Sequence, residues 1–417
     1  MRDDIKALGS TSMGHFSNDG VFLLFSALIV YYSQSPELLS VLVLGYFASI
    51  YTLVSGILSL PVGRWSDSGD RDPELLFAGI LLLGIAIVIF SLPFYVGSAM
   101  PILIRYTFVG IGAVVMGFGQ AFYHPIGADI LRYMLKGKDS SFFLGINGSF
   151  GSIGRSVIFF IVGILIIHFG TFEGLFLLSL YYFVISVVIY VSSRNMRKNG
   201  RGVGSKKKSP SGPLAKIFSF KGVVPFLTVL TATMFLRSAF QLAVATYMFK
   251  YIDDIYLNGF LSYVFVSLSL LTPIVGQPYI GHLTSKIGGN KTLLITGTMS
   301  LVSFIVFLLF SRTYLIALPF FALYAFSAFT GFPSLLGFIN QKIPKEAATR
   351  ANTWVWGIGT SVGGAVGIMI YTSITEVFHL SQTDSFWIML SFLLVSIITN
   401  LMISPYAQRL ESQITAA

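Results

Sequence analysis

Long apolar runs separated by short polar stretches dominate the chain. A helix needs about 20 apolar residues to cross the hydrocarbon core of a membrane, and twelve runs are long enough. The runs cover residues 11–33, 39–62, 74–95, 101–123, 140–167, 173–193, 223–249, 258–280, 291–311, 314–337, 350–374 and 385–404. Most are apolar all round, and they lack the alternation of membrane-spanning strands. The pattern predicts an all-α membrane protein with twelve transmembrane helices.

The charged residues predict how these helices are oriented. Only 11% of the 417 residues are charged, against roughly 25% in a soluble domain. Basic residues give a formal net charge of +10 and cluster on the side of the N-terminus, whereas the opposite side carries only Arg105, Lys250 and Arg312. By the positive-inside rule, we expect a multi-pass protein of the inner or plasma membrane with both termini in the cytoplasm. The N-terminus has no small-residue cleavage site, so the first run is expected to stay.

Composition and motifs exclude several classes of function. The sequence has no cysteine, which excludes disulfides, thiolate metal sites and a cysteine nucleophile. Basic residues lie between apolar runs, so a nucleic-acid partner is not expected. The sequence contains no zinc-type H-E-x-x-H motif, paired acids within a span or phosphate-binding loop, and its loops leave no room for a soluble output domain. We therefore expect neither an enzyme nor a sensor, with no cofactor and no metal.

A basic segment divides the chain into two halves. Residues 194–221 are rich in Lys and Arg, with Gly, Ser and Pro. They predict a cytoplasmic linker between an N-terminal six-helix bundle, 1–193, and a C-terminal six-helix bundle, 222–417. The linker is expected either to contact anionic lipid or, more simply, to be a solvated loop.

The two halves resemble each other as pseudo-repeats. Gly281 follows Gly63 by 218 positions, in similar segments after the second and eighth runs. Phe235 likewise follows Phe16 by 219 positions. A near-constant offset indicates duplication, and parallel six-helix repeats with a site between them are an established transporter plan.

The segment Gly63-x-x-Ser66-Asp67-x-x-x-Arg71 resembles the signature between helices two and three of the major facilitator superfamily. The resemblance implies a twelve-helix transporter that works by alternating access as a monomer. It also implies a gating role for Gly63, Asp67 and Arg71 at the cytoplasmic face.

Four shorter pieces resemble the fosmidomycin-resistance branch of that superfamily. They read GHFSND (14–19), FYHPIG (122–127), FLRSAFQLAVATY (235–247) and GFPSLLGFINQKIP (331–344). This resemblance implies drug resistance through proton-coupled efflux, that is, antiport. The fifth run lacks the Gly-Pro that ends it in many exporters, so uptake by proton symport or by facilitated diffusion remains an alternative.

Charged residues inside the apolar runs are the candidates for chemistry, because a charge at the bilayer centre costs at least a few kcal/mol. Asp19 is the one acid within a span, and His15 lies one turn before it on the same helical face. An acid in a low-dielectric wall can take up and release a proton. We expect Asp19 to be the proton site and His15 its relay, against the alternative that Asp19 only pairs with an arginine.

Two arginines predict the charge of the transported solute. Arg155 and Arg237 lie within spans and outnumber the acid, so a central cavity would be positive and would suit a small organic anion or an anionic drug-like solute. Gln241 and Asn18 are further candidates for solute binding. Bonds from either arginine to backbone carbonyls or to an acid are the structural alternative.

His124 precedes a proline at the predicted end of the fourth span. Proline interrupts helical hydrogen bonding, so His124-Pro125 is expected to cap this helix at the cytoplasmic face. His124 is then either a gating group or a side chain that satisfies freed carbonyls.

Overall fold

The computed structural model describes residues 3–34, 39–68, 70–135, 140–197, 222–343, 351–352 and 354–415. Most of the predicted linker and the side chain of Asp67 lie outside the described part. The described residues form helices and contain no strand. Eleven helical segments among them are long and apolar enough to span a membrane, and a twelfth apolar helix is shorter. The predicted all-α membrane fold is confirmed.

Among the described residues, the first half of the chain contains seven α-helices and a short 3-10 helix at Gly97–Ala99. The α-helices are α1 (Asp3–Gly20), α2 (Leu24–Gln34), α3 (Val41–Ser68), α4 (Asp72–Val96), α5 (Ile102–Met134), α6 (Ser140–Phe169) and α7 (Thr171–Ser193). The described part of the second half has seven more and a π-helical segment at Val355–Val362. These are α8 (Val223–Tyr256), α9 (Gly259–Ile287), α10 (Gly289–Leu309), α11 (Tyr314–Ala328), α12 (Gly331–Lys342), α13 (Gly363–Glu376) and α14 (Gln382–Thr415).

The first span is broken, whereas the sequence predicted one helix over 11–33. It begins at Asp3 and is interrupted between Gly20 and Leu24. In the break, Phe22 N–H donates to Asp19 O at 3.0 Å, an i to i−3 bond that tightens the chain. Periodicity does not reveal such a break, because the residues within it are as apolar as their neighbours.

Two further span boundaries differ from the prediction. The fourth span was expected to end at residue 123, but α5 continues through Pro125 to Met134. Proline is tolerated inside membrane helices when neighbouring groups satisfy the freed carbonyl, so the predicted cap at His124-Pro125 is wrong. The tenth span, predicted over 314–337, is divided into α11 and α12.

Two helix pairs join the halves along seams, and α2 also packs against α8. In one seam, α3 packs against α13: Tyr46 and Ser373 hydroxyls are 3.1 Å apart, and Ser49 Oγ donates to Ala365 O at 2.7 Å. In the other, α6 packs against α9, where Ser156 Oγ donates to Ser267 O at 2.7 Å. The seams hold the halves together in the middle and toward the end of the bundle opposite to the start of α1.

We call the end of the bundle where α1 begins the N-face, and the opposite end the far face. In the part of the chain that the structure describes, a gap opens between the halves toward the N-face. The seams end near Gly148, beside the Gln277 side chain, and near Gly56, beside Ser361. About one turn closer to the N-face, Gly145 and Gly357 face open space, and a methyl group added at either would have no neighbouring atom within 4 Å.

Matching close contacts occur in the two halves. A side chain at Gly154 would collide with the backbone of Phe16, and one at Gly363 would collide with the backbone of Phe235. Glycine therefore allows α6 to approach α1, and α13 to approach α8, at backbone distance. The two pairs occupy equivalent places, which agrees with the offset between Phe16 and Phe235 in the sequence.

Candidate functional site

A buried carboxylate lies where the first span breaks. Asp19 is in the last turn of α1 and is only 2% exposed. The side chain of the adjacent Asn18 donates from Nδ2 to Asp19 Oδ1 at 3.1 Å. The break puts this charge at a helix end, where backbone groups lack helical partners.

Arg155 of α6 is the direct partner of this carboxylate. Its Nε and Nη2 donate to Asp19 Oδ2 at 3.0 and 2.5 Å. The guanidinium carbon also lies 5.2 Å from the ring centre of Phe22 and 6.0 Å from that of Phe329. Phe329 belongs to the second half of the chain, so the cation of the first half lies where the two halves meet. The predicted pairing of Asp19 with an arginine thus involves Arg155.

His15 links Asp19 to a polar network in the first half. Its Nε2 lies 3.4 Å from Asp19 Oδ2, and its Nδ1 lies 2.9 Å from Asn147 Oδ1. Its ring stacks on that of Tyr123 at 4.6 Å. The Tyr123 hydroxyl is in turn within 2.9 Å of Asn147 Oδ1 and 2.8 Å of Thr11 O. These contacts fix the ring of His15 in a position where Nε2 faces the carboxylate.

His124 completes the group. Its Nε2 lies 3.6 Å from Asp19 Oδ1, and 41% of its side chain is exposed. It is a mid-helix residue of α5, so it does not satisfy carbonyls at a helix end, which was one interpretation of the sequence. It is the most exposed side chain of the group and therefore the one that solvent reaches most easily.

The same three side chains have the donor set of a metal site. Ligand atoms of His15, Asp19 and His124 all lie within 4.8 Å of one another. However, the guanidinium of Arg155 already neutralises the carboxylate, and its positive charge would repel a divalent cation. The positive charge of Arg155 therefore disfavours a metal ion at this site.

Arg237, by contrast, lies inside the second half. It is buried, and it donates to Leu293 O, Thr296 Oγ1 and Ser327 O at 3.1 to 3.2 Å. Ser327 O is one of the carbonyls that the end of α11 leaves without a helical partner. The structure therefore gives Arg237 the backbone partners of the structural alternative and does not place it with Asp19. Gln241, one turn further along α8, is half-buried.

The signature segment lies at the N-face. Gly63 packs beside Pro125, whose Cβ would lie 3.7 Å from a methyl group added at this glycine, and Arg71 is exposed immediately before α4. Asp67 is outside the described side chains, so its predicted gating role stays a prediction.

An ion pair that sequence reasoning missed lies nearby, between Arg197 and Glu74. The hydrogen bond to Glu74 raises the pKa of Arg197.

Sequence reasoning also missed Asn147 and Tyr123. Both are buried and both contact the His15 network. A polar amide within the glycine-rich start of the fifth run was a usable signal, because an amide in an apolar helix needs a partner. No sequence pattern linked it to a histidine 132 positions earlier.

The fold, with two half-bundles of membrane-spanning helices, is that of a transporter. The family model of the Major Facilitator Superfamily matches residues 10–368, so the chain belongs to this superfamily. Its members are transporters and not enzymes. No curated protein sequence matches the chain significantly.

Solved structures agree with this assignment. The chain is similar to a bacterial homologue of the human lysosomal transporter Spinster in an inward-facing, occupied conformation, with a TM-score of 0.68, 11% identity and 96% coverage of each chain. A second structure of a bacterial Spinster homologue, inward-facing and unoccupied, gives a TM-score of 0.63 and 11% identity, covering 99% of this chain and 96% of the other. At this identity the similarity extends to the fold alone.

Proposed function

We propose that this protein moves a small organic anion across a cell membrane together with a proton. The observation that supports the proposal is the buried ion pair of Asp19 and Arg155 beside the gap. Breaking a buried pair strands an uncompensated charge, which costs several kcal/mol. An anion that binds Arg155 must displace Asp19 from it, and a proton on Asp19 removes the stranded charge. Anion and proton therefore assist each other's binding.

This linkage favours co-transport. Two ligands that bind cooperatively to one state of an alternating-access protein cross the membrane together. Exchange of an anion for a proton would require that the two compete for the site. Efflux by antiport, which the resemblance to the fosmidomycin-resistance branch implies, is the second candidate function, and it would move protons in the opposite direction.

His15 and His124 are the proposed route of the proton. His15 holds one nitrogen against Asp19 and the other against Asn147, while the more exposed His124 contacts the second carboxylate oxygen. A proton entering from the gap meets His124 first. The gap opens to the N-face, which we assign to the cytoplasm from the distribution of Lys and Arg.

The test uses liposomes that contain the purified protein and an internal pH dye. Methanesulfonate, methylphosphonate and a neutral sugar alcohol are added outside, and methanesulfonate is decisive because it remains ionised and carries no proton of its own. We expect internal acidification on its entry, and no proton movement by Asp19→Asn. Alkalinisation would favour antiport. Solute entry without proton movement, unchanged in Asp19→Asn, would overturn the coupling through Asp19.

A further inference from the structure

An apolar pocket of about 420 Å³ lies in the second half of the chain, away from the charged group. It is lined by Thr228, Thr231, Ala232 and Phe235 of α8 and by Trp354 and Ile358 at the start of the π-helical segment. These residues lie on one face of α8 and around one turn of the π-helical segment. No lining residue is charged.

Helical position relates the pocket to the surfaces of the second half that meet the first half. Phe235 lies fourteen residues, or four helical turns, before Phe249, whose ring packs on Phe159 of the first half at 5.2 Å. Ile358 lies within one turn of Ser361, which faces Gly56 of the first half. The lining side chains thus continue, toward the N-face, the surfaces that form the seams.

The chemistry of the pocket points to an apolar ligand with a single polar contact. Thr231 Oγ1 is buried and has no hydrogen-bond partner among the described residues, and an orphan hydroxyl of this kind calls for a partner. Arg237, on the same helix, is occupied by groups of α10 and α11. The second half therefore offers apolar surface to the gap, while the first half offers the cation Arg155.

We infer that this pocket binds the apolar part of the transported anion. The solute class is then amphipathic: an anionic group at Arg155 joined to an alkyl or aryl body that fills the space beside Trp354 and Phe235. Because the two parts of the site belong to different halves, such a solute bridges them. The inference rests on the proposed function, since it takes Arg155 as the anion site.

The test measures binding of straight-chain alkanesulfonates, from methanesulfonate to hexanesulfonate, to the full chain in lipid nanodiscs by calorimetry. We expect affinity to rise about fourfold for each added methylene, the factor for burying one CH₂ group. Ala232→Phe fills the pocket and should abolish this dependence while methanesulfonate binding stays unchanged. Ala232→Ser, which leaves the space open, should behave as wild type.

Three outcomes separate the two proposals. Affinity that does not change with chain length, while methanesulfonate binding is lost in Arg155→Lys, overturns the pocket and leaves the proposed function standing. A chain-length dependence that survives in Arg155→Lys and in uncharged alcohols of equal length also overturns the inference, because the ligand would then be a lipid-like molecule. Failure of wild type to bind methanesulfonate contradicts the proposed anion site itself.

Discussion

At the scale of single residues, the group around Asp19 balances its charges closely. One carboxylate faces one guanidinium and two imidazoles, so the state of the histidines decides whether the group is neutral or positive. His15 is held by contacts that reach Tyr123 and Asn147. Neither residue contributes a charge to the group, so both are suitable for testing whether the position of His15 matters for proton-coupled flux.

Replacing Asn147 should weaken proton-coupled flux by loosening the position of His15. In Asn147→Leu, His15 Nδ1 loses its hydrogen-bond partner, a bond that contributes about 0.5–1.5 kcal/mol, so coupled flux should fall by a factor of about two to ten. Asn147→Asp keeps an acceptor at this position and should retain most of the flux. Flux and melting temperature are measured on both variants. Coupled flux in Asn147→Leu equal to that of wild type would show that Asn147 does not position His15.

The two buried arginines should respond differently to the same substitution. Arg155→Lys keeps the charge but loses the two-bond grip on an oxyanion, so solute affinity should fall roughly tenfold or more at little change in melting temperature. Arg237→Lys cannot reach all three of its partners at once and should lower the melting temperature while leaving the ratio of protons to solute unchanged. Thermal unfolding and flux measured on both variants decide this. Loss of coupling between proton and solute movement in Arg237→Lys would indicate instead that Arg237 is part of the transport site.

At the scale of helices, close approach of α1 and α6 creates the ion pair. Gly151 and Gly154 lie on the face of α6 toward α1: a side chain at Gly151 would meet His15 and Asp19, and one at Gly154 would meet the backbone of Phe16. Wider spacing would separate Arg155 from Asp19. The break between α1 and α2 then leaves Asp19 at a helix end beside the gap.

Two alanine substitutions on α6 test this spacing. Gly154→Ala should destabilise the protein by roughly 1–3 kcal/mol, the usual effect of overpacking, and should weaken proton-coupled flux. Gly145→Ala is the matched control, since its position faces open space and alanine favours the helix by about 1 kcal/mol. Equal effects of the two variants on melting temperature and flux would show that the helix contact is not tight.

At the scale of the whole molecule, the two halves are joined toward the far face and separated at the N-face. Near the far face, Gln34 Nε2 donates to Asp253 Oδ2 at 3.2 Å across the halves, and this contact is exposed. Exposed polar contacts contribute little to stability, so they can break and re-form as the halves rock. Alternating access requires this contact to open in the other state.

The absence of cysteine makes that motion testable. A double variant, Gln34→Cys with Asp253→Cys, joined by a short reducible bis-thiosulfonate, should stop transport while solute still binds from the N-face. Reduction of the linker should restore flux. Each single variant treated in the same way is the control. Transport that continues in the cross-linked protein would show that the far face does not open there.

Much of the architecture follows from the sequence, because an uninterrupted apolar run has few structures open to it in a membrane. Of the candidate site, the sequence singled out Asp19, His15 and Arg155, since buried charge is rare enough to be informative. It placed the end of the fourth span wrongly at His124-Pro125, because a proline in a membrane helix does not reveal whether the helix ends there. It could not separate Arg155 from Arg237, whose partners lie on distant helices. Asn147 and Tyr123 are defined only by tertiary contacts.

The most direct measurement counts the protons that move when the anion binds. Calorimetry of methanesulfonate binding in buffers of different ionisation enthalpy gives this number without transport. We predict uptake of up to about one proton per anion by wild type, and none by Asp19→Asn. Release of protons, or a count of zero in wild type with intact binding, would contradict the claim that the Asp19–Arg155 pair couples the anion to a proton.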